Sequence, residues 1–360
     1  MSDTSINGML SPIRRTRGAK RGPTDDTEQN GHMIPPLADL LDSARVVALP
    51  MHSRFRGVDT REALLFQGPE GWAEFSPFVE YDDVEAATWL AAAIDFAWRE
   101  QPTPLRERIG VNATVPAIDA AQVPELLSRF AGCRTAKVKV AEPGQTLADD
   151  AARVRAVREA MGPEGRIRVD ANGLWNVDEA EHAVHVLGEY DLEYVEQPCA
   201  TVPELADLRR RVKYMGIPVA ADESVRKSSD PLAVARAGAA DLLVVKAQPL
   251  GGITHALQIV TAAGLPVVVS SALDTAVGLS QGAALAAALP TLDYDCGLGT
   301  ASLFLDDVAD LRPVDGAIPV GRLTPDADAL TRLAASDERR EWWFARLARC
   351  HYELVSAERD

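Results

Sequence analysis

Polar and apolar positions divide the chain into a short leading unit, a long repeating middle and a helical end. Between residues 45 and 98 three runs, ARVVALP, REALLFQ and GWAEFS, are separated by turn residues at Gly57 and at Gly68-Pro69-Glu70-Gly71, which predicts three successive strands. Asp82 and Asp83 then cap an Ala-rich amphipathic stretch, VEAATWLAAAIDFAW, which predicts a helix. MHSRFRG, between the first two strands, is expected to form a polar, flexible loop carrying Arg54 and Arg56.

The middle repeats a unit rather than a sequence. GVNATV, AKVKV, IRVDAN, LEYVEQP, PVAADES, LLVVK, VVVSS and the weaker LDYDCGLGT each end in a polar or glycine position, and a helical stretch follows. Marked at Asn112, Lys139, Asp170, Glu196, Asp222, Lys246, Ser270 and Gly297, the spacings are 27, 31, 26, 26, 24, 24 and 27 residues. Leu147, Val154, Val157 and Met161 share a helical face. Asp230-Pro231 starts one predicted helix, and Gly251 and Gly252 precede another. Eight strands alternating with helices predict an α/β fold, a (β/α)7β TIM-type barrel, and no GxGxxG follows a strand as a dinucleotide fold would require. Residues 327–357 have helical spacing, with Trp342, Trp343, Leu347 and Tyr352 as the apolar marks of a helix packed on the body. The expected organisation is a tail at 1–32, an α+β capping domain at 33–108, the barrel at 109–310, and a segment at 311–360 that packs back to complete the cap.

Composition narrows the class. The chain has 360 residues, 47% hydrophobic and 25% charged, with 37 Lys+Arg against 53 Asp+Glu for a net charge of -16. An acidic surface disfavours nucleic acid and anionic lipid, and no apolar run reaches the roughly 20 residues of a membrane span. Cys133, Cys199, Cys296 and Cys350 lie far apart with no CxxC, which fits a reducing cytoplasm better than disulfides or zinc. Residues 1–32 lack apolar periodicity and are expected to be disordered, or an upstream start-site extension. Arg14-Arg15 is followed by no apolar export segment and is expected to be a solvated basic run.

Active sites of such barrels lie at the carboxyl ends of the strands. This chain places Lys139, Asp170, Glu196, Asp222 and Lys246 there, on five successive strands. One such charge is usually a turn residue; five on one rim predict a site, because charges are seldom buried without purpose. Three carboxylates without histidine or thiolate nearby form an all-oxygen set that suits Mg²⁺ or Mn²⁺ rather than zinc. None of the six histidines ends a strand, and His182 and His185, three apart in a helical stretch, are expected at the surface.

The two lysines flank the carboxylates in strand order, so in a closed barrel they face a substrate from opposite sides. Lys137 shares a face with Lys139, and that like-charge pair is expected to lower the working lysine from its reference value of ~10.4. Arg168 shares a face with Asp170 and either points into the site or forms a buried ion pair. A cation clamp flanked by lysines suits removal of a proton alpha to a carboxylate, whose developing charge the cation stabilises. Ser270, Ser271 and the loop Gly297-Leu298-Gly299 are either backbone N–H donors to the far end of an anionic substrate or ordinary turns.

KVK at 137–139, DAN at 170–172, EQP at 196–198, ADES at 221–224 and Lys246 with PLGG resemble the enolase superfamily, muconate-lactonizing subgroup, over about residues 33–357. RFRG at 54–57, NATVPA at 112–117, TAKVKVAEPGQ at 135–145, EQPCAT at 196–201, SSALDTAVG at 270–278 and CGLGT at 296–300 resemble, within it, the o-succinylbenzoate synthase family of actinobacterial type. The resemblance implies a Mg²⁺-dependent syn dehydration of 2-succinyl-6-hydroxy-2,4-cyclohexadiene-1-carboxylate to 2-succinylbenzoate in menaquinone biosynthesis. It implies Lys139 as the base that then returns its proton to the leaving hydroxide, supported by Lys137. Asp170, Glu196 and Asp222 become the Mg²⁺ ligands, with Lys246 cationic on the opposite side. Glu223 is expected to point elsewhere by alternation. Arg54 and Arg56 belong to a mobile cap segment over the succinyl group, and Arg168, Asn172, Ser270, Ser271, Gly297 and Gly299 complete the substrate-binding set. Relatives with two lysines racemise N-acylamino acids or epimerise dipeptides, and this alternative is disfavoured by RFRG. A non-catalytic binding protein of the same fold is disfavoured by the complete charged set.

Overall fold

In the computed structural model, which describes residues 34–226 and 230–357, the leading unit is built from a helix, a meander and a second helix. These are α1 (Leu37–Ser43), β1 (Arg45–Phe55), β2 (Val58–Gly68), β3 (Gly71–Phe75) and α2 (Asp83–Trp98), with the strands antiparallel in the order β1-β2-β3. Asp82 accepts a hydrogen bond from the Glu85 N–H at 2.8 Å, the predicted cap. The expectations for residues 1–32, Arg14-Arg15 included, lie outside the described residues.

MHSRFRG is not the expected loop. β1 runs on through Phe55, and Phe55 pairs with Val58 across a two-residue turn. Arg56 at φ 49° and Gly57 at φ 79° supply the positive angles that such a tight hairpin requires.

The barrel region follows β4 (Arg108–Gly110) with β5 (Ala113–Val115), α3 (Val123–Leu127), β6 (Thr135–Lys139), α4 (Leu147–Met161), β7 (Arg166–Asp170), α5 (Val177–Leu187), β8 (Leu192–Glu196) and α6 (Val202–Val212). It continues through β9 (Val219–Ala221), α7 (Glu223–Arg226), α8 (Ala233–Arg236), β10 (Leu242–Val245), α9 (Ile253–Ala263), β11 (Val267–Val269) and α10 (Ala276–Ala288). Several helices start where the sequence supplies reciprocal caps: Thr146 with Asp149, Asn176 with Glu179, and Thr201 with Glu204. The helix α8 falls well short of prediction. The Asp230 carbonyl accepts the Ala233 N–H in a turn, and four helical residues follow.

The sheet runs parallel in the order β11-β10-β9-β8-β7-β6-β5. The eighth strand is reduced to Cys296 and Gly297, which bridge the two edges: Gly297 N–H donates to the Val269 carbonyl at 2.8 Å and Cys296 N–H to the Gly110 carbonyl at 2.7 Å. Crowding explains the glycine. A Cβ at Gly297 would lie 2.4 Å from Ser270 Oγ, so no larger residue could make this closure unchanged. Tyr194, Ala220, Leu242, Val244 and Val268 pack together as a fully buried cluster.

After β12 (Ala317–Pro319), which pairs antiparallel with β4, the predicted single C-terminal helix is two: α11 (Ala327–Arg332) and α12 (Asp337–Ala357). The break has a cause. Ala48 N–H donates to the Leu333 carbonyl and Ala335 N–H to the Val46 carbonyl, so the intervening segment pairs with β1. α12 packs on α2 and β1, with Trp343 edge-on to Phe75 at 5.9 Å. The described residues from Pro35 onward form one compact unit.

Candidate active site

The charged set lies where the strand endings bring it. Lys139, Asp170 and Glu196 close β6, β7 and β8, and their Cα positions are paired, Lys139 with Asp170 and Asp170 with Glu196. Asp222 and Lys246 follow β9 and β10 by one residue. One cavity is lined by Lys137, Lys139, Asp170, Asn172, Asp222, Lys246, Ser270, Ser271 and Gly297, with Phe55 and Arg56 from the β1–β2 hairpin.

Carboxylates and ammonium groups interlock. Lys137 Nζ lies 2.6 Å from Glu196 Oε1 and 3.2 Å from Asp170 Oδ2. Lys139 Nζ donates to Asp170 Oδ2 at 2.5 Å and to Asn172 Oδ1 at 2.7 Å. Lys246 Nζ reaches both Asp222 oxygens at 2.5 Å, and Arg226 Nε meets Asp222 Oδ1 at 3.1 Å.

The electrostatics follow from these distances. Burial pushes the Asp170 carboxyl up, but Lys139 and Lys137 outweigh it and hold it well below the usual carboxylate range. Asp222 is held down in the same way by Lys246 and Arg226. Glu196, the most enclosed of the three, is pushed up to about 7 by burial and by its neighbour Asp170. Burial lowers the Lys246 ammonium, and Asp222 only partly offsets it. Burial would lower Lys137, yet Glu196 and Asp170 raise it well above its ordinary value.

Three buried carboxylates on adjacent strands, each already holding a cationic group, form a donor set whose chemistry fits a hard divalent cation. Among the described residues no three His, Cys, Asp or Glu side chains close into a cage; lysine ammonium groups lie against the oxygens instead.

Several predicted residues are placed elsewhere. Glu196 is fully buried and does not itself line the cavity, which it meets through Lys137. Arg54 projects outward, its side chain 68% exposed, with Asp59 at 3.6 Å. Arg168 takes the buried-pair alternative: it is completely buried, donates to Glu193 Oε2 at 2.5 Å and to the Asp295 carbonyl at 2.7 Å, and stacks on Tyr194. Gly299 does not line the cavity. A Cβ there would lie 2.7 Å from the Asn112 carbonyl, so its glycine serves packing. The N–H groups of Ser270, Ser271 and Gly297 are not free for a substrate: they donate to the Val245, Gly297 and Val269 carbonyls.

Other residues join the cavity unannounced. β9 stops at Ala221 and Glu223 begins a helical turn, so strand alternation does not turn it away. It lines the cavity and accepts from Asn172 Nδ2 at 3.1 Å. Arg226, Thr114, Leu273 and Thr300 line it too. The Asp222-to-Arg226 spacing of four, that of an ion pair along one helical turn, was the one available sign for Arg226.

Comparisons with known proteins agree on kinship. A family model described as enolase C-terminal domain-like matches residues 119–325, and one described as enolase N-terminal domain-like matches residues 46–97. The o-succinylbenzoate synthase of Mycobacterium leprae is 56% identical over 330 residues, 91% of this chain and 97% of that protein. That of Mycolicibacterium smegmatis is 55% identical over 320 residues, 88% and 98% of the two chains. That of Mycobacterium tuberculosis is 57% identical over 325 residues, 90% and 98%.

Among solved structures, 2-chloromuconate cycloisomerase from Rhodococcus opacus has a TM-score of 0.70 at 22% identity, covering 82% of this chain and 98% of its own. The L-Ala-D/L-Glu epimerase from Bacillus subtilis has a TM-score of 0.67 at 22% identity, covering 78% and 96%. At such identity these two speak for fold alone. The barrel model spans more than half of the chain, and relatives above half identity span about nine-tenths of it. The chain therefore belongs to the enolase superfamily and, within it, to the family of o-succinylbenzoate synthases.

Proposed function

We propose that this enzyme dehydrates 2-succinyl-6-hydroxy-2,4-cyclohexadiene-1-carboxylate to 2-succinylbenzoate, a cytoplasmic step of menaquinone biosynthesis. The observation that carries the reading is the layout of charge around the cavity. Lys139 on β6 and Lys246 after β10 stand four strands apart in an eight-membered ring, with Asp170, Glu196 and Asp222 between them.

Asp170, Glu196 and Asp222 would hold Mg²⁺ or Mn²⁺. When bound, the cation supplies Lewis-acid stabilisation of negative charge on the substrate carboxylate. Lys139, as the free amine, takes the proton from the carbon alpha to that carboxylate. The electron pair of the broken C–H bond becomes the new ring double bond as the C–O bond breaks. Lys139 returns the proton to the departing hydroxide, so water leaves and the ring is aromatic. Lys137 keeps Glu196 and Asp170 in register, and Lys246 presents its ammonium to the ring from the other side. Arg56, at the hairpin tip, meets the succinyl end and excludes water.

An absorbance assay with the cyclohexadiene substrate and Mg²⁺, with and without EDTA, tests the reading. Rapid conversion abolished by EDTA is the expected result; no conversion by folded, cation-loaded protein overturns it. The opposed lysines also suit a 1,1-proton transfer. Deuterium exchange at the alpha carbon of N-acylamino acids or dipeptides, without dehydration, would favour the racemase or epimerase reading.

A further inference from the structure

One wall of the cavity is built by the segment 270–275, between β11 and α10, and this segment is held from the other end of the chain. Leu273 lines the cavity at φ 65°, a left-handed backbone that a branched side chain rarely adopts. Within the segment the Asp274 carboxylate accepts the Ala272 N–H, and from outside the segment is held by buried side chains of the cap.

Arg61, on β2 and 4% exposed, donates through Nε to the Leu273 carbonyl at 3.1 Å and through Nη2 to the Ser76 carbonyl. Its guanidinium also stacks on Phe78, 4.5 Å from the ring centre. The same ring carries the guanidinium of Arg56, the cavity-lining hairpin residue, at 4.1 Å. Two residues before Ser76, Glu74 of β3 is 1% exposed and joins Thr275 and Asp307 in holding the start of α10. Its Oε2 accepts from Thr275 N–H at 3.0 Å, Thr275 Oγ1 at 2.5 Å and Gly278 N–H at 3.1 Å, while Oε1 accepts from Ser76 Oγ. Gly278 is built around this carboxylate. A Cβ there would stand 2.6 Å from Glu74 Oε2. A cap carboxylate thus supplements Thr275, the helix's own N-cap, which accepts from the Val277 N–H, and complements the positive end of α10.

We propose that Arg61 and Glu74 are positioning residues for substrate binding: they clamp the 270–275 segment from the cap, hold Leu273 in its left-handed conformation, and so set one wall of the cavity. Neither touches the cavity. Both act through Leu273, and Arg61 acts also through the ring it shares with Arg56. A ligand-facing wall held this way affects how well substrate fits more than how fast its proton moves, which separates the clamp from the lysines.

The test rests on the proposed dehydration for its kinetic readout alone. Arg61→Met and Glu74→Gln are compared with wild type by steady-state kinetics and by hydrogen exchange of the 270–278 amides. The expected result is a KM raised roughly tenfold with kcat within about twofold, the pattern of lost binding rather than lost chemistry. Faster exchange at 270–278 than in the strands around it should accompany the change. Combining Arg61→Met with Leu273→Ala should give less than the sum of the separate effects, because both act on one wall.

An unchanged KM with unchanged exchange in a folded variant overturns the proposal, as does a loss confined to kcat. If the wild type dehydrates nothing, the reaction assignment fails by itself and exchange at 270–278 still decides for or against the clamp. If either variant does not fold, Gly278→Ala applies the same test. It presses on the Glu74 carboxylate from the helix side, and there too a raised KM supports the clamp and an unmoved one overturns it.

Discussion

Lys139 and Lys246 face one cavity from strands on opposite sides of the barrel, but the molecule holds them differently. Lys139 shares its ammonium between one oxygen of Asp170 and the amide oxygen of Asn172, with the Phe55 ring 5.6 Å away. Its backbone is fixed from outside: Arg153 Nη1 on α4 donates to the Lys139 carbonyl at 2.8 Å and pairs with Asp150 Oδ1 at 2.9 Å. Asp150 in turn accepts the N–H of Ala141, which sits at φ 62°. Lys246 instead meets both oxygens of Asp222, a carboxylate that also carries Arg226. The same residue type thus has two kinds of company. Lys139 has a backbone braced by Arg153 and neutral as well as charged partners, which suits the proposed base. Lys246 is paired with a carboxylate, which suits the proposed fixed positive charge.

The largest expected effect breaks the comparison outright. Lys139→Ala should lower kcat by about 10³-fold or more, the upper range for losing a general base, while divalent cation binding measured by calorimetry persists. Lys246→Ala should cost less, roughly 10²-fold, with part of the rate restored in Lys246→Arg, because a charge is easier to replace than a positioned amine. Should Lys246→Ala prove the more damaging, the two roles are reversed. Burial, which lowers the Lys246 ammonium, would then be the property that matters.

Asp222→Asn sharpens the contrast from the carboxylate side. It removes a proposed cation ligand, so the Mg²⁺ concentration for half-maximal rate should rise by about ten- to a hundredfold. It also strips the partner from Lys246 and weakens that of Arg226. Breaking a buried pair on one side typically costs about 3–5 kcal/mol, so melting in EDTA should fall markedly. The equivalent change at Asp150 should destabilise through Arg153 without altering the Mg²⁺ requirement. Titrating both variants with Mg²⁺ and melting both in EDTA separates a ligand from a brace.

What could be read in the sequence follows the same division. The five strand ends were legible because β/α alternation repeats at nearly constant spacing and charges so placed have few structural uses. The eighth strand was legible as a unit but not as two bridging residues, since its glycines answer to Ser270 and Asn112, far away in the chain. Glu223 was misassigned because alternation was carried past the point where β9 ends. The rise of Lys137 was not legible because its partner Glu196 lies 59 positions on in the chain. Asp150 and Arg153 have the spacing of surface helix charges, yet both are buried. Such pairs become visible only once the strand they brace is in place.

The smallest expected effect tests the hairpin, where the sequence treats two arginines alike and the structure does not. Arg54 is largely exposed and its ion pair with Asp59 spans 3.6 Å between exposed side chains. Pairs of that kind are worth about 0–1 kcal/mol, so Arg54→Ala should leave kcat/KM within about twofold. Arg56 is different: it lines the cavity, and the buried Phe78 ring beneath its guanidinium, 4.1 Å away, holds it there. A partly desolvated contact of that type is worth up to about 2 kcal/mol, so Arg56→Ala should raise KM roughly tenfold. Equal losses from the two substitutions would mean that the hairpin acts as one flexible unit over the substrate. A loss confined to Arg56 would mean that its contribution comes from a side chain already fixed in place before substrate arrives.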